Sequence, residues 1–285
     1  MRILIIGGAG MLGHQLWRQM NPNHEVWVTL RRAANTYRHF GLFEEIRTIS
    51  NIDAANMESL VSVFRRVRPE AVINCVGIIK HLKEGHNPLI SLRINSLLPH
   101  QLAELSGAFG ARMVHISTDC VFTGRKGNYL ESDISDAEDI YGRTKFLGEV
   151  HESHCLTLRT SIIGRELETR SGLIEWFLSQ SGKQIKGFRK AIYSGFTTLE
   201  LGRIIEKVLT EHPELSGLWQ ASSDRIDKYE LLRSAKLAFD WKGEIAHDDT
   251  FICDRSLDST RFRKAVGYLP PSWGNMLQEL ASVQK

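Results

Sequence analysis

Arg2-Ile3-Leu4-Ile5-Ile6-Gly7-Gly8-Ala9-Gly10-Met11-Leu12-Gly13 stands at the head of the chain. Ile3 to Ile6 is short, apolar and stopped by glycine, which predicts a fully buried strand. Helix-forming residues with apolar positions at helical spacing follow, from Met11 to Met20. Strand, Gly7-x-x-Gly10-x-x-Gly13, helix is the context in which a glycine loop holds a dinucleotide. Gly7 permits the tight turn, Gly10 lets the main chain approach a pyrophosphate, and Gly13 brings helix and sheet together. The helix N-terminus, with Met11 and Leu12 beside these glycines, offers N–H groups and a partial positive charge to the phosphates. The alternative is a glycine-rich turn without a ligand, and the flanking strand and helix weigh against it.

The pattern outside this segment agrees with it. Strands are predicted at Glu25–Leu30, Arg47–Ile49, Ala71–Val76, Arg112–Ile116, Cys155–Leu158 and Leu218–Ala221. Helices are predicted between them at Met57–Val67, Leu89–Phe109 and Ile140–His151. This alternation predicts an α/β fold, a Rossmann-type doubly wound parallel sheet covered on both faces. From about Ser161 the alternation becomes irregular, with helical segments near Gly172–Ser181, Leu199–Glu211 and Lys228–Phe239. The expected organisation is an NAD(P)-binding core over residues 1–160, rejoined by a later strand near 196–221. A small C-terminal substrate-binding cap is expected from residues 161–195 and 222–285.

A formal charge of +3 over 285 residues is too small to imply a nucleic-acid or membrane partner. Cys75, Cys120, Cys155 and Cys253 are scattered, without a CxxC pair or the His spacing of a zinc site. They read as buried free thiols of a reducing compartment, and no metal is expected. The N-terminal strand begins without the apolar h-region and cleavage site of a signal peptide. No apolar stretch approaches the ~20 residues of a membrane span. The cytoplasm is the expected location.

Two places bear on chemistry. The second strand ends at Leu30 and is followed by Arg31-Arg32, with no carboxylate to hold a ribose 2′-hydroxyl. Arginine there suits a 2′-phosphate, so NADP(H) is favoured and NAD(H) stays possible; a solvated basic turn is the competing reading. Asp53, after the third strand, is a candidate partner of the adenine amine or else a helix N-cap. Further on, Tyr141 and Lys145 stand at i and i+4 and share a helix face. A neighbouring ammonium lowers the pKa of a phenol, which is what a reversible proton donor needs. The strand before them runs into Ser117-Thr118-Asp119, placing hydroxyls where parallel strands end and ligands bind.

Gly7-x-x-Gly10-x-x-Gly13, Ser117-Thr118-Asp119-x-Val121-Phe122-x-Gly124, Asn95 with Pro99, and Tyr141-x3-Lys145 together resemble the extended short-chain dehydrogenase/reductase family. Within it the chain is most similar to dTDP-4-dehydrorhamnose reductases, as are Arg255-Ser256-Leu257-Asp258-Ser259-Thr260 and Leu269-Pro270-x-x-Trp273. The resemblance covers nearly the whole chain. It implies a catalytic triad of Thr118, Tyr141 and Lys145, with Lys145 also holding the nicotinamide ribose. Main-chain atoms near Cys75, Val76 and Gly77 would line the cofactor groove. The implied substrate is a nucleotide-linked 4-keto sugar of polysaccharide synthesis, met by Thr118, Asp119, Tyr141, Tyr193, Arg225 and Arg255. Lys186, Arg189 and Lys190 are further candidates for its diphosphate, whereas Trp176 and Trp219 read as core. A homodimer through the helices containing Asn95 and Tyr141 is also implied.

Two departures narrow the likeness. Cys120 occupies a position that is usually aromatic in the rhamnose reductases. The related sugar 4,6-dehydratases carry Asp-Glu after the catalytic threonine; with Asp119-Cys120 the eliminating base is missing, so reduction is preferred to dehydration. The loop His81-Leu-Lys-Glu-Gly-His86 also departs from the reductase pattern and leaves the sugar open. Other readings are an epimerase with retained NAD, and a non-catalytic NADP-binding chain resembling the regulatory subunit of methionine adenosyltransferase.

Overall fold

A computed structural model describes residues 1–79 and 87–283; the His81–His86 loop lies outside them. Through residue 160 the elements are β1 (Arg2–Ile6), α1 (Gly13–Met20), β2 (Glu25–Thr29), β3 (Thr48–Ile49), α2 (Met57–Val67), β4 (Ala71–Asn74), α3 (Pro88–Ser91), α4 (Leu98–Ala108), β5 (Arg112–Thr118), α5 (Ile140–Leu147) and β6 (Cys155–Thr160). Thereafter come β7 (Ile162–Ile163), α6 (Leu173–Ser179), β8 (Gln184–Phe188), β9 (Ala191–Tyr193), β10 (Phe196–Thr197), α7 (Thr198–Thr210) and β11 (Gly217–Gln220). The chain closes with β12 (Ile226–Asp227), α8 (Lys228–Ala238), β13 (Glu244–Asp248), β14 (Cys253–Asp254), α9 (Thr260–Val266) and α10 (Trp273–Ser282).

Seven strands form one sheet in the order β11-β6-β5-β4-β1-β2-β3. Its pairs β1–β2, β1–β4, β2–β3 and β4–β5 are parallel, with Ile5 opposite Val28 on one side and Ile73 on the other. This is the doubly wound order, and the strand direction of travel reverses between β1 and β4. Strands buried on both faces need continuous apolar runs. Leu4, Ile5, Ile6, Val72 and Ile73 are all fully buried. Leu60, Phe64 and Val67 of α2 pack with Leu98 and Leu102 of α4 into the core on one face.

The chain divides into two compact units. The first holds Met1–Ser117, Asp139–Leu158 and Gly202–Leu218. The second holds Thr118–Glu138, Arg159–Leu201 and Trp219–Lys285, described through residue 283. In the second unit β8 pairs with β13 in parallel, and β9 lies between β12 and β14. These small sheets were not anticipated, because strands of two to five residues carry little periodicity.

Several expectations need correction. The fourth strand stops at Asn74, not Val76, because the Asn74 side chain accepts the Val76 N–H at 3.1 Å and turns the chain. The long helix expected over Leu89–Phe109 is interrupted by a π-helical segment, Leu92–Leu97. The Tyr141 helix ends at Leu147 instead of His151, capped by Gly148. Trp176 is 38% exposed and Trp219 only half-buried, so neither is a core residue. All four cysteines are free; Cys155 is fully buried, and Cys75, Cys120 and Cys253 are only partly so. No helix among the described residues is long and apolar enough to cross a membrane, and none of their acidic, His and Cys side chains cluster as metal ligands would.

Candidate active site

The glycine loop of the first unit joins β1 to α1. Gly7 has φ +92, and its N–H donates to Thr29 Oγ1 at 3.1 Å. A Cβ on Gly8 would lie 1.8 Å from Val28 Cγ2, and one on Gly13 only 2.2 Å from the Gly7 carbonyl oxygen. These two glycines are therefore required by packing, and Gly8 is one that the fingerprint spacing did not mark. Gly10 differs: it is exposed, and the nearest atom to an added Cβ is 3.4 Å away. Its freedom from protein contact suits main-chain approach by a ligand. Here the residues fit a dinucleotide pyrophosphate at the sheet's switch point.

At the far end of β2, Arg31 and Arg32 are exposed, and the Arg32 guanidinium lies over the Tyr37 ring at 5.5 Å. Asp53 is exposed and accepts the Ala55 N–H at 3.0 Å. It does not cap α2; Asn56 does, accepting from Ser59 N–H. Cys75, Val76 and Gly77 follow β4, with the Cys75 N–H donating to Ile6 O at 3.0 Å. Desolvation pushes the Cys75 thiol well above its ordinary value.

Asn95 anchors this loop. Its side chain accepts the Ile78 N–H at 2.8 Å and donates to the Ile78 carbonyl at 2.9 Å. The same amide reaches Thr144 Oγ1 of α5 at 3.3 Å, and Ser96 Oγ donates to Thr144 O at 2.8 Å. Both residues sit in the π-helical turn, a distortion that recurs at functional sites. The turn also brings the Asn95 carbonyl against Gly148, where a Cβ would stand at 1.9 Å.

On α5, Asp139 caps the helix through Gly142 N–H at 2.7 Å, and Tyr141 and Lys145 occupy one face. Tyr141 is half-buried, whereas Lys145 is 5% exposed and donates from Nζ to the Ile116 carbonyl at 2.6 Å. Burial brings the Lys145 ammonium down to about 8, partly opposed by the Glu149 carboxylate. Ser117 Oγ donates to that carboxylate at 2.7 Å inside the protein. Fully buried His115, on β5, accepts at Nδ1 from Asn74 Nδ2 at 3.1 Å. Burial and then the Lys145 charge hold it far below its usual value, hence neutral. Glu149, Asn74 and His115 were not picked out from sequence, and Ser117 was read only as a strand-end hydroxyl of the motif. The only local signal was a carboxylate one turn after the lysine.

The second unit begins at Thr118, which is buried and accepts the Cys120 N–H at 3.1 Å. Burial raises the Asp119 carboxyl, and the Arg255 charge opposes that rise. Arg255 Nε donates to Phe122 O at 2.8 Å and Nη1 to Cys120 Sγ at 3.5 Å. Phe122 stacks on Tyr129 at 4.0 Å, and the Gly124 carbonyl accepts the Asp254 N–H at 2.8 Å. Within the second unit, Cys120–Gly124 and Asp254–Arg255 are thus two sides of one packed corner. Tyr193 is buried, its phenol pushed strongly upward by burial, with the Lys228 ammonium 5.2 Å from its ring centre. Arg225 instead is exposed and ion-paired with Asp254. Lys186 and Arg189 pair with Asp248 and Asp249. Of the cap cations considered, Arg255 is the one brought beside Asp119 and Cys120.

Residues 1–172 match the family described as the RmlD substrate binding domain. The methionine adenosyltransferase 2 subunit beta of Bos taurus is 27% identical over 150 residues, covering 52% of this chain and 41% of that protein. The dTDP-4-dehydrorhamnose reductase of Shigella flexneri is 27% identical over 166 residues, covering 56% of this chain and 51% of that protein. The chain thus spans about half or less of the length of these curated relatives. A crystal structure of dTDP-4-dehydrorhamnose reductase from Bacillus anthracis in complex with NADP superposes with a TM-score of 0.79. That likeness covers 98% of both chains at 21% identity and bears on the fold. With the family match spanning more than half its length, the chain belongs to the RmlD substrate binding domain family, and is an extended short-chain dehydrogenase/reductase-like chain similar to dTDP-4-dehydrorhamnose reductases.

Proposed function

We propose that this chain is an NADP(H)-dependent reductase of a nucleotide-linked 4-keto-6-deoxy sugar, acting in deoxy-sugar and surface polysaccharide synthesis. The observation that carries the proposal is a buried Lys145, fixed on the Ile116 carbonyl and sharing a helix face with Tyr141. Burying an ammonium is costly unless something is gained by it. Here the gain is an electrostatic hold on a phenol.

The bound nicotinamide supplies a hydride, chemistry that no side chain provides. The protein's own residues hold, orient and protonate. Main-chain groups of Gly7, Gly10, Met11, Leu12 and Gly13 hold the pyrophosphate, while Arg31 and Arg32 meet the 2′-phosphate. Asp53 receives the adenine amine, and Cys75, Val76 and Gly77 line the groove. Lys145 orients the nicotinamide ribose and lowers the Tyr141 pKa. Tyr141 gives its proton to the sugar carbonyl oxygen, which Thr118 steadies by a hydrogen bond. Asp119, Tyr193 and Arg255 meet the nucleotide sugar, and Arg225 joins them on leaving Asp254.

Leu89, Leu92 and Leu97 with Phe146 and Leu147 are exposed apolar side chains of the first unit, which supports a homodimer through these helices. The match to a methionine adenosyltransferase subunit favours a second reading, a dinucleotide-binding subunit without turnover. The two separate on NADPH oxidation with a panel of dTDP-, UDP- and GDP-4-keto sugars. The reductase oxidises NADPH with at least one of them, and Tyr141→Phe lowers kcat by roughly 10²-fold or more. An unchanged rate in Tyr141→Phe, or no sugar consumed, refutes the reductase reading.

A further inference from the structure

Asn74 and His115 stand opposite each other in the parallel β4–β5 pair, so their side chains leave the sheet on one face. Asn74 is 1% exposed and His115 fully buried. The Asn74 amide oxygen accepts the Val76 N–H at 3.1 Å, so its amine end is the one that faces the ring. That amine donates to His115 Nδ1 at 3.1 Å. Nδ1 accepts only when it carries no proton, which makes the neutral ring the Nε2–H tautomer. Nε2 is itself buried and has no hydrogen-bond partner among the described residues.

At its other end this run of bonds reaches the glycine loop. A Cβ on Gly7 would lie 2.8 Å from Val76 Cγ2 and 3.3 Å from Val76 N, so the turn after β4 packs directly on the turn after β1. Histidine is a poor filler for such a core position, since leucine brings no ring N–H to desolvate. What the ring supplies and leucine cannot is an acceptor for Asn74. Without that acceptor, nothing on β5 distinguishes the oxygen of the Asn74 amide from its amine.

We propose that His115 is a positioning residue for the dinucleotide: its Nδ1 fixes which end of the Asn74 amide faces Val76, and that amide sets the turn on which the glycine loop rests. This rests on reading the glycine loop as the pyrophosphate site. His115 acts through Asn74 and Val76, two hydrogen bonds and one packing contact from Gly7, and all four residues belong to the first unit. With the amide reversed, its amine would meet the Val76 N–H, two donors would face each other, and the turn would move against Gly7. The ring therefore governs main chain that it does not itself touch.

The test is calorimetric titration of the full chain with NADPH, on variants shown to be folded by circular dichroism. His115→Leu fills the space without an acceptor, and NADPH affinity should fall about fivefold or more. His115→Asn returns an amide oxygen near the place of Nδ1 and should recover most of that loss. Wild-type affinity in folded His115→Leu, or an equal loss in His115→Asn, overturns the proposal, because leucine replaces a mere core filler at least as well as asparagine does. Should His115→Leu not fold, His115→Gln, whose amide reaches the place of Nε2 and not of Nδ1, must weaken NADPH likewise; no loss there overturns it equally. Nitrogen-15 labelling of the histidine rings gives a second readout, with the His115 signals assigned by their loss in His115→Asn. They should show a bare Nδ1 and a protonated Nε2, and a protonated Nδ1 overturns the proposal. A wild-type chain that binds neither NADPH nor NADH refutes the cofactor reading, and this proposal falls with it; a chain that binds NADPH but is indifferent to His115 refutes this proposal alone.

Discussion

Replacing Gly8 and Gly10 separately with alanine should split two roles that the glycine loop combines. At Gly8 the new Cβ would stand 1.8 Å from Val28 Cγ2. Carbon atoms pack at about 3.5–4.0 Å, so the overlap is about 2 Å. Val28 is β-branched and fully buried in β2, so its methyl cannot swing aside. Either the loop or the strand must move, at about 1–3 kcal/mol for overpacking, and the upper end is expected. For a chain of this size each kcal/mol lowers the thermal midpoint by about 2–4 °C. At Gly10 the added methyl meets nothing closer than 3.4 Å and the residue lacks a positive φ, so stability should hold. NADPH binding should nevertheless weaken by at least about tenfold, or 1.4 kcal/mol, because the methyl enters space reserved for the pyrophosphate. Differential scanning fluorimetry reports the first effect and calorimetric titration with NADPH the second. NADPH affinity unchanged in Gly10→Ala, or full stability in Gly8→Ala, would show that the loop has been misread.

The buried lysine should carry a stability cost. Its folded-state value of about 8 lies below its ordinary 10.5, so between these values the unfolded chain binds more protons and stability rises with pH. That separation, about 2.5 pH units at 1.36 kcal/mol each, is worth about 3 kcal/mol; urea titration should find Lys145→Met more stable than wild type at pH 7, with the gap closing by pH 10, and a constant gap would contradict the account. Asn95→Ala removes both bonds to Ile78 and should lower stability by about 1–3 kcal/mol in the same assay, whereas a loss within error would mean the loop is held otherwise. Leu97→Asp should convert a dimer to monomers in sedimentation equilibrium, and an unchanged mass would place any interface elsewhere.

The parts of this fold that were legible in sequence are those where local pattern and tertiary role coincide. Ile3 to Gly13 is strand, turn and helix at once, and each residue type has a single good use there. Tyr141 and Lys145 likewise share a face through helical spacing alone. The π turn at Leu92–Leu97 could not be read, because one inserted residue shifts the helical phase without changing composition. Helix α5 ended early for a reason visible only in three dimensions: Gly148 is pressed against the Asn95 carbonyl. Glu149 drew no reading in sequence, and only the fold brings the Ser117 hydroxyl of β5 to its carboxylate. Arg225 shows the reverse case, a plausible phosphate ligand whose nearest carboxylate, Asp254, is already engaged with it.

The amide of Asn95 has a practical consequence for anyone redesigning the protein. It fastens the loop after β4 to the helix that carries Tyr141, and in the site proposed above that makes one residue the rivet of the reactive end. Arg31 and Arg32 hang from β2, outside that fastening. Coenzyme preference should therefore be exchangeable by rewriting the β2 end alone, while any attempt to reshape the reactive end has to begin by replacing the rivet.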